Sequence, residues 1–170
     1  MTNLLPDPSR SAVLSDCQRY RYSLTRRWAE SGPIDVWIGL NPSTADAEKD
    51  DATIRKICAF SRSWGSAGIV MLNLFAFRAT LPSDMLAAED PVGPGNDAAI
   101  LAATAGTPRI RVIAAWGVHG IWMTRDQEVM RLLFGKSIYA LHLNNDGSPG
   151  HPLYLPMKNR LVPFGIGGTR

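Results

Sequence analysis

Cysteine is scarce in this sequence: Cys17 and Cys58 are the only two among 170 residues. Two thiols cannot form a four-cysteine zinc site or hold an iron–sulfur cluster, and such sparing use of cysteine is typical of a reducing, cytosolic compartment. The sequence also lacks any apolar run approaching the roughly 20 residues of a membrane-spanning helix, and it begins without the pattern of a signal peptide. These absences predict a cytoplasmic protein that does not associate with membranes.

The common motifs of nucleotide-dependent and hydrolytic enzymes are absent as well. There is no G-x-x-x-x-G-K-S/T phosphate loop, no G-x-G-x-x-G after a strand and no G-x-S-x-G nucleophile elbow. The paired H-x-E and P-C-x-x-C segments of a zinc deaminase are missing, and so is any cluster of metal ligands. We therefore expect a protein that uses no metal and no cofactor.

The composition is that of one globular domain, with 45% hydrophobic and 19% charged residues. We assign residues 1–170 to a single domain whose ends, residues 1–15 and 165–170, are expected to be flexible. The net charge is +3, and 14 of the 18 basic residues are arginines. Arginine suits the recognition of phosphate and carboxylate groups. The charge therefore permits nucleic-acid binding without requiring it.

Short apolar runs alternate with helical patterns along most of the chain. This alternation is typical of a parallel sheet covered on both faces. We therefore predict an α/β fold, a three-layer α/β/α arrangement around a four-stranded, mainly parallel sheet, with a short N-terminal edge strand or hairpin over residues 19–28. Asp51 is the expected N-cap of the first main helix. The predicted strands cover residues 35–40, 68–74, 109–116 and 137–143, and the main helices cover residues 52–64, 96–105 and 121–134.

Polar and aromatic side chains follow these strands at their carboxyl ends, where ligands bind in such folds. Four neighbouring strand ends should bring them together, and polar groups that converge among aromatic rings are typical of a pocket for a small molecule or a base. In strand order, the candidates are Asn41 and Asp46; Asn73, Phe75, Phe77 and Arg78; Trp116 and His119; and His151.

Several candidates also have a structural interpretation that the sequence leaves open. Asn41 precedes Pro42 and fits a turn former. Asn73 lies inside an apolar strand, where either a structural network or a ligand must supply hydrogen-bond partners. His119 stands between two glycines and fits a helix cap, and Trp116 fits the core.

Four short motifs resemble those of the uracil-DNA glycosylase superfamily and occur in the same order. The GLNPS segment at residues 39–43 resembles the G-I-N-P-G motif of the mismatch-specific uracil/thymine branch, and the strand that ends at Asn73 resembles the L-L-L-N segment. The AAWG segment at residues 114–117 resembles L-L-W-G, and the HPLYL segment at residues 151–155 resembles H-P-S-P-L. Together they span most of residues 35–156. This resemblance implies a uracil-DNA-glycosylase-like fold.

The whole chain is identified as a member of domain-of-unknown-function family 1643, a family of bacteria and phages. The segments that carry this resemblance are YRYSLTRRW, GLNPSTAD, DDATIRK, NLFAFRAT, DPVGPGND, AAWGVHG and GHPLYLP. The family supplies no function by itself, so the functional expectations come from the resemblance to the glycosylases.

That resemblance implies an N-glycosidase, which hydrolyses the bond between a modified or damaged nucleobase and its sugar, in DNA rather than RNA. Such enzymes flip the base into a pocket, read its edge, and stabilise the charge that develops as the base departs. The implied roles are the positioning of water by Asn41 with help from Asp46, donation to the leaving base by His151, contact with the base edge by Asn73, stacking on the base by Phe75 or Phe77, filling of the vacated stack by Leu155, and phosphate binding by Arg78, Arg125 and Ser43.

The sequence departs from the glycosylase pattern in ways that favour a slow enzyme. Asn41 is an amide, which cannot take a proton from water as an aspartate does. Ser43 replaces a glycine, and Leu153 replaces the serine that contacts DNA phosphate in H-P-S-P-L. Two alternatives therefore stay open: a hydrolase of free nucleosides or nucleotides, and a non-catalytic module that binds a modified base or a nucleotide.

Overall fold

The computed structural model describes residues 9–106 and 109–165. Its strands are β1 (Arg10–Leu14), β2 (Arg21–Arg27), β3 (Ile34–Gly39), β4 (Gly68–Asn73), β5 (Ile110–Ala114), β6 (Ile138–Ala140) and β7 (Val162–Phe164). Its helices are α1 (Ala52–Ser63), α2 (Pro82–Leu86), α3 (Asn96–Thr104) and α4 (Arg125–Leu132), with 3₁₀ segments at Val118–Thr124 and Pro152–Tyr154. The strands form one sheet in the order β1-β2-β4-β3-β5-β6-β7. β3 to β6 are parallel, and β1, β2 and β7 pair antiparallel at the two sides.

The α/β class is confirmed, but the predicted four-stranded, mainly parallel sheet is wrong. The four expected sheet strands are present as β3 to β6, and β2 lies within the N-terminal strand or hairpin expected over residues 19–28. Together with β1 and β7, β2 extends these four strands into a seven-stranded mixed sheet. This sheet replaces the four-stranded, uracil-DNA-glycosylase-like architecture. β7 escaped prediction because it has three residues and contains Pro163, which weakens any strand pattern. Of the ends expected to be flexible, residues 10–14 form β1, whereas residues 1–8 and 166–170 lie outside the described residues.

Helices cover both faces of the sheet, and each face has its own apolar core. On one face, Val36 and Ile38 of β3 belong to a cluster that includes buried side chains of α2, α3 and α4. On the other face, Trp37 packs with Ile57 and Phe60 of α1. Successive residues of a strand point to opposite faces, so β3 is apolar over this whole stretch because both of its sides are covered.

The two longest predicted helices begin in different ways. The Asp51 carboxylate caps α1 as expected, accepting a backbone N–H of the first turn at 2.8 Å. In contrast, α4 begins at Arg125, later than the predicted residue 121. Met123 and Thr124, the last residues of the 3₁₀ segment, have φ angles of 55° and 54°, a left-handed conformation that interrupts the helical path before α4. The helical spacing of the sequence does not show this kink.

Candidate functional site

A cavity of about 600 Å³ opens at the carboxyl ends of the parallel strands. Its walls come from the ends of β3 and β4, the residues after β5, the start of α1, and the loop around the second 3₁₀ segment. This volume is typical of sites for small organic ligands. Seven of the predicted site residues line the cavity: Asn41, Ser43, Asn73, Trp116, His119, His151 and Leu155.

Asn73 ends β4 and contributes a buried amide to the cavity wall. The residue is 1% exposed, and neither Nδ2 nor Oδ1 has a hydrogen-bond partner among the described residues. Leaving a buried polar group unpaired costs about 1–3 kcal/mol. Gly39 leaves the space for this side chain, because a Cβ at that position would lie 2.9 Å from the Asn73 Oδ1. The arrangement suits a ligand that offers one acceptor and one donor.

The Asn41 amide is held by its nitrogen. Nδ2 donates to the carbonyl of Ala79 at 2.9 Å and to that of Pro42 at 3.1 Å. These two bonds orient the side chain, and they leave Oδ1 without a protein donor in the described part of the chain. An amide oxygen of this kind accepts a hydrogen bond from water or from a ligand.

His151 contributes a neutral imidazole. Its Nδ1 accepts the backbone N–H of Leu153 at 3.3 Å, so the ring proton resides on Nε2. Burial lowers the pKa of His151 below its ordinary value, and the Asp51 carboxylate opposes this shift only in part. At pH 7 the side chain is therefore a neutral hydrogen-bond donor through Nε2.

Arg21 and Asp51 line the cavity as well, although neither was among the predicted site residues. The Arg21 side chain is buried, its Nη1 donates to the Ala45 carbonyl at 2.6 Å, and its Nε has no partner among the described residues. Burial is the main reason why the pKa of Arg21 falls to about 10. Arg21 lies in the YRYSLTRRW segment, but that segment carried only the family resemblance and no site role, and it forms the antiparallel strand β2. Asp51 was expected only as the cap of α1.

Three other predicted site residues lie outside the cavity wall. Phe75 is fully buried in the core, and Phe77 packs edge-on against Tyr20 with ring centroids 5.8 Å apart. Asp46 shapes its own turn, because Oδ1 accepts two backbone N–H groups at 2.8 and 2.9 Å, and these bonds lower its pKa. The cavity therefore gains no stacking ring from either phenylalanine and no carboxylate from Asp46.

The two arginines predicted to hold phosphates have structural partners instead. Arg125 is 2% exposed, and its donors reach the Leu74 carbonyl at 2.8 Å, Glu128 at 3.1 Å, and Asp97. It therefore ties the residue after β4 to α3 and α4, and it does not line the cavity. The Nη1 of Arg78 donates to a backbone carbonyl of the β1–β2 turn at 3.2 Å, away from the cavity wall.

Apolar and aromatic side chains are exposed at the cavity. The His119 ring stacks on that of Trp122 with centroids 4.2 Å apart, and Tyr154 is 81% exposed. Leu155, which the resemblance placed in a vacated base stack, packs half-buried against the core beneath α1. Leu153 and Tyr154, rather than Leu155, are thus the exposed members of this loop.

Residues 9–106 and 109–165 contain no group of three or more side chains placed to hold a metal ion. Over the same ranges, every helix is too short or too polar to span a lipid bilayer. The cavity wall offers amides, hydroxyls, imidazoles, a carboxylate and a guanidinium.

The fold and the cavity define an α/β protein with a cavity, lined by polar and apolar side chains, at the carboxyl ends of its parallel strands. The chain belongs to the family described as protein of unknown function (DUF1643), whose sequence profile matches residues 21–153. The membership predicted from the sequence is thus confirmed, and the match runs from β2 into the second 3₁₀ segment. No curated protein and no solved structure matches the chain.

Proposed function

We propose that the protein is an N-glycosidase, which hydrolyses the bond between a modified or damaged nucleobase and its sugar, with DNA as the favoured source of the base. The observation that carries the proposal is the buried amide of Asn73, whose donor and acceptor both lack a partner among the described residues. A nucleobase edge presents neighbouring donors and acceptors, so it can pair with both atoms of one amide. The motifs that resemble those of the uracil-DNA glycosylases support the same proposal, since each of the four contributes residues to the cavity.

In the proposed reaction, the electron pair of the glycosidic bond leaves with the base, and the oxygen of water bonds to the sugar carbon. His151 donates a hydrogen bond from Nε2 to the departing base, where negative charge develops. The Asn41 Oδ1 accepts a hydrogen bond from the attacking water and positions it. Asp51 takes the proton of that water in place of Asp46, because Asp51 lines the cavity and Asp46 does not.

The exposed side chains of the cavity suit a base that enters from a DNA strand. Extruding a base costs a few kcal/mol and leaves a gap in the stack. Tyr154 and Leu153 are exposed beside the cavity and take the gap-filling role that the resemblance gave to Leu155. A cytoplasmic location belongs to the same proposal, because Cys17 and Cys58 are free thiols.

A mass-spectrometric screen for released bases tests the activity. The substrates are DNA with uracil, mismatched thymine, hypoxanthine, alkylated or hypermodified bases, and a mixture of free nucleosides. We expect wild type and Asn145→Ala, a matched control at an exposed asparagine outside the cavity wall, to release one base. Asn41→Ala should release at least tenfold less while keeping its circular dichroism spectrum. No release by folded wild-type protein from any substrate would contradict the proposal.

A non-catalytic module that binds a base or a nucleotide is the second candidate. The observation that favours it is Asn41, an amide in the position where a proton acceptor would speed the attack of water. Such a module loses binding in Asn73→Ala and yields no product at any time. The dependence of binding on salt concentration separates a DNA substrate from a free nucleoside. Affinity for DNA falls steeply as the salt concentration rises, whereas affinity for a free nucleoside changes little.

A further inference from the structure

We propose that Arg21 forms an anion-binding subsite of the cavity, which takes a phosphate group of the bound substrate. The identification of the anion as a nucleotide phosphate rests on the proposed function, whereas the subsite itself rests on the burial and the open donors of Arg21. The phosphate belongs either to a free nucleotide or to the backbone of a nucleic acid, and the two present the same chemistry to a guanidinium.

Arg21 is a buried arginine whose charge the described residues leave unneutralised. No carboxylate oxygen in residues 9–106 and 109–165 lies within 4.0 Å of its nitrogens. By contrast, Arg26 pairs with Asp50 at 2.7 Å, and Arg111 pairs with Asp35 at 2.7 Å. An unpaired buried cation is costly, and burial accordingly lowers the pKa of Arg21 to about 10. An anionic ligand would neutralise this charge.

Two donors of the Arg21 guanidinium lack a hydrogen-bond partner among the described residues, and their geometry suits a phosphate. Nη1 is engaged by the Ala45 carbonyl at 2.6 Å. Nε has no partner, and no described residue accepts a hydrogen bond from Nη2. Nε and Nη2 lie on the same side of the guanidinium and form a fork that matches two oxygens of one phosphate.

The surroundings of Arg21 in the cavity favour an anion. Asp51 is the only carboxylate among the described cavity residues, and its Oδ1 is occupied in capping α1. Its field raises the pKa of Arg21, but the two side chains form no ion pair. Thr53 and Ile54, in the first turn of α1, also line the cavity, so the partial positive charge of the helix N-terminus lies beside it.

Inorganic phosphate tests the subsite without any assumption about the base. We expect phosphate to bind wild type in calorimetry and to raise its unfolding temperature relative to chloride at equal ionic strength. Arg21→Met keeps much of the side-chain volume without the charge, and it should bind phosphate about 10- to 100-fold more weakly. Arg62→Met is the matched control, because Arg62 lies in a separate arginine-lined groove between α1 and β2 and should not affect binding.

Three outcomes would overturn the subsite: wild type that shows no effect of phosphate, unchanged binding in Arg21→Met, or a loss of binding confined to Arg62→Met. If circular dichroism shows that Arg21→Met does not fold, Arg21→Lys takes its place. Lysine keeps the charge but loses the fork, so binding should weaken several-fold. Wild-type affinity in Arg21→Lys would then overturn the proposed role of the guanidinium.

Paired ligands identify the source of the phosphate. Nucleoside 5′-monophosphates should bind at least tenfold more tightly than the matching nucleosides, and Arg21→Met should abolish this gain. An Arg21-dependent gain confined to single-stranded oligonucleotides assigns the phosphate to the nucleic-acid backbone. Asn73→Ala separates the two proposals, because it removes the base contact and should leave the binding of inorganic phosphate intact. If the protein binds phosphate but releases no base from any substrate, the proposed subsite is supported and the proposed glycosidase activity is contradicted.

Discussion

At the scale of single residues, two neighbouring buried asparagines differ in their hydrogen bonding: in the described part of the chain, Asn96 lacks a partner only at Oδ1, whereas Asn73 lacks one at both polar atoms. The Nδ2 of Asn96 donates to the backbone carbonyls of Asn73 and Leu74 at 3.0 and 2.9 Å. The Asn73 side chain, in contrast, has no partner for either of its polar atoms among the described residues. The first amide holds the end of β4 in place, and the second is the one that the proposed function assigns to base binding.

Replacing Asn73 with leucine and replacing Asn96 with leucine should therefore have different effects on the free energy of unfolding. Asn73→Leu should leave the free energy of unfolding unchanged or raise it by about 1 kcal/mol, because an unpaired amide becomes an apolar group of similar shape. Asn96→Leu should lower it by about 1–3 kcal/mol, because the Asn73 and Leu74 carbonyls each lose a hydrogen bond, and only the Leu74 carbonyl keeps a second side-chain donor, the Nε of Arg125. Urea denaturation measures both values, and equal losses would contradict the assignment of Asn73 to ligand binding.

The buried imidazole of His151 makes stability depend on pH. Its pKa in the folded protein lies below the ordinary value of 6.5, so the unfolded chain binds more protons as the pH falls through that value. The free energy of unfolding should therefore decrease from pH 7 to pH 5, and the decrease should be smaller in His151→Gln. His142→Gln, at an exposed histidine outside the cavity wall, is the control. A decrease that only His142→Gln removes would contradict this account.

At the scale of elements, Arg125 joins the end of β4 to α3 and α4 through three acceptors. Arg125→Met should lower the free energy of unfolding by about 1–3 kcal/mol, because the Leu74 carbonyl loses one of its two side-chain donors and two half-exposed carboxylates lose their cation. Arg131→Met, at an exposed position of α4, should change it by less than about 0.5 kcal/mol. Calorimetry should find inorganic phosphate binding unchanged in both variants, and a loss in Arg125→Met would restore its predicted phosphate role.

The centre of the sheet was predictable from the sequence, and its edges were not. The parallel strands are apolar because helices cover both of their sides, and such runs of apolar residues can be recognised in a single sequence. β1 and β7 are short and partly exposed, so their residues resemble loops. The start of α4 depends on the backbone angles of Met123 and Thr124, which residue spacing does not encode.

The same distinction applies to the site. Asn41, Asn73 and His151 could be placed because each follows a strand, and neighbouring parallel strands end at the same edge of the sheet. Arg21 could not, because its position depends on β2 pairing with β4, which adds a wall to the cavity. Phe75 also follows a strand, but its burial depends on the packing of the helices, which sequence spacing does not reveal.

At the scale of the whole molecule, the buried ion pair of Asp35 and the cavity lie at opposite ends of the parallel strands. Asp35, near the amino end of β3, is fully buried and pairs with Arg111 of β5 at 2.7 Å. It also accepts the hydroxyl hydrogen of Ser66 at 2.6 Å. These bonds connect β5 and the α1–β4 turn to β3 far from the strand ends that form the cavity.

Asp35→Ala should accordingly lower stability without changing the site. The expected loss in free energy of unfolding is about 2–4 kcal/mol, since the partly exposed Arg111 can regain water after its partner is removed. Asp35→Asn, which keeps an acceptor for Ser66, should lose less. At a temperature where both variants are folded, phosphate affinity should equal that of wild type. A changed affinity for phosphate would show that the amino ends and the carboxyl ends of the parallel strands are coupled.

The strand order also determines how the molecule can be labelled. β1 and β7 form the two outer edges of the seven-stranded sheet. Six strand intervals of about 4.8 Å place these edges roughly 29 Å apart. Fluorophores attached to exposed positions of β1 and β7 would lie within the working range of resonance energy transfer and away from the cavity. Their separation should remain constant when a ligand binds and change only when the sheet itself comes apart.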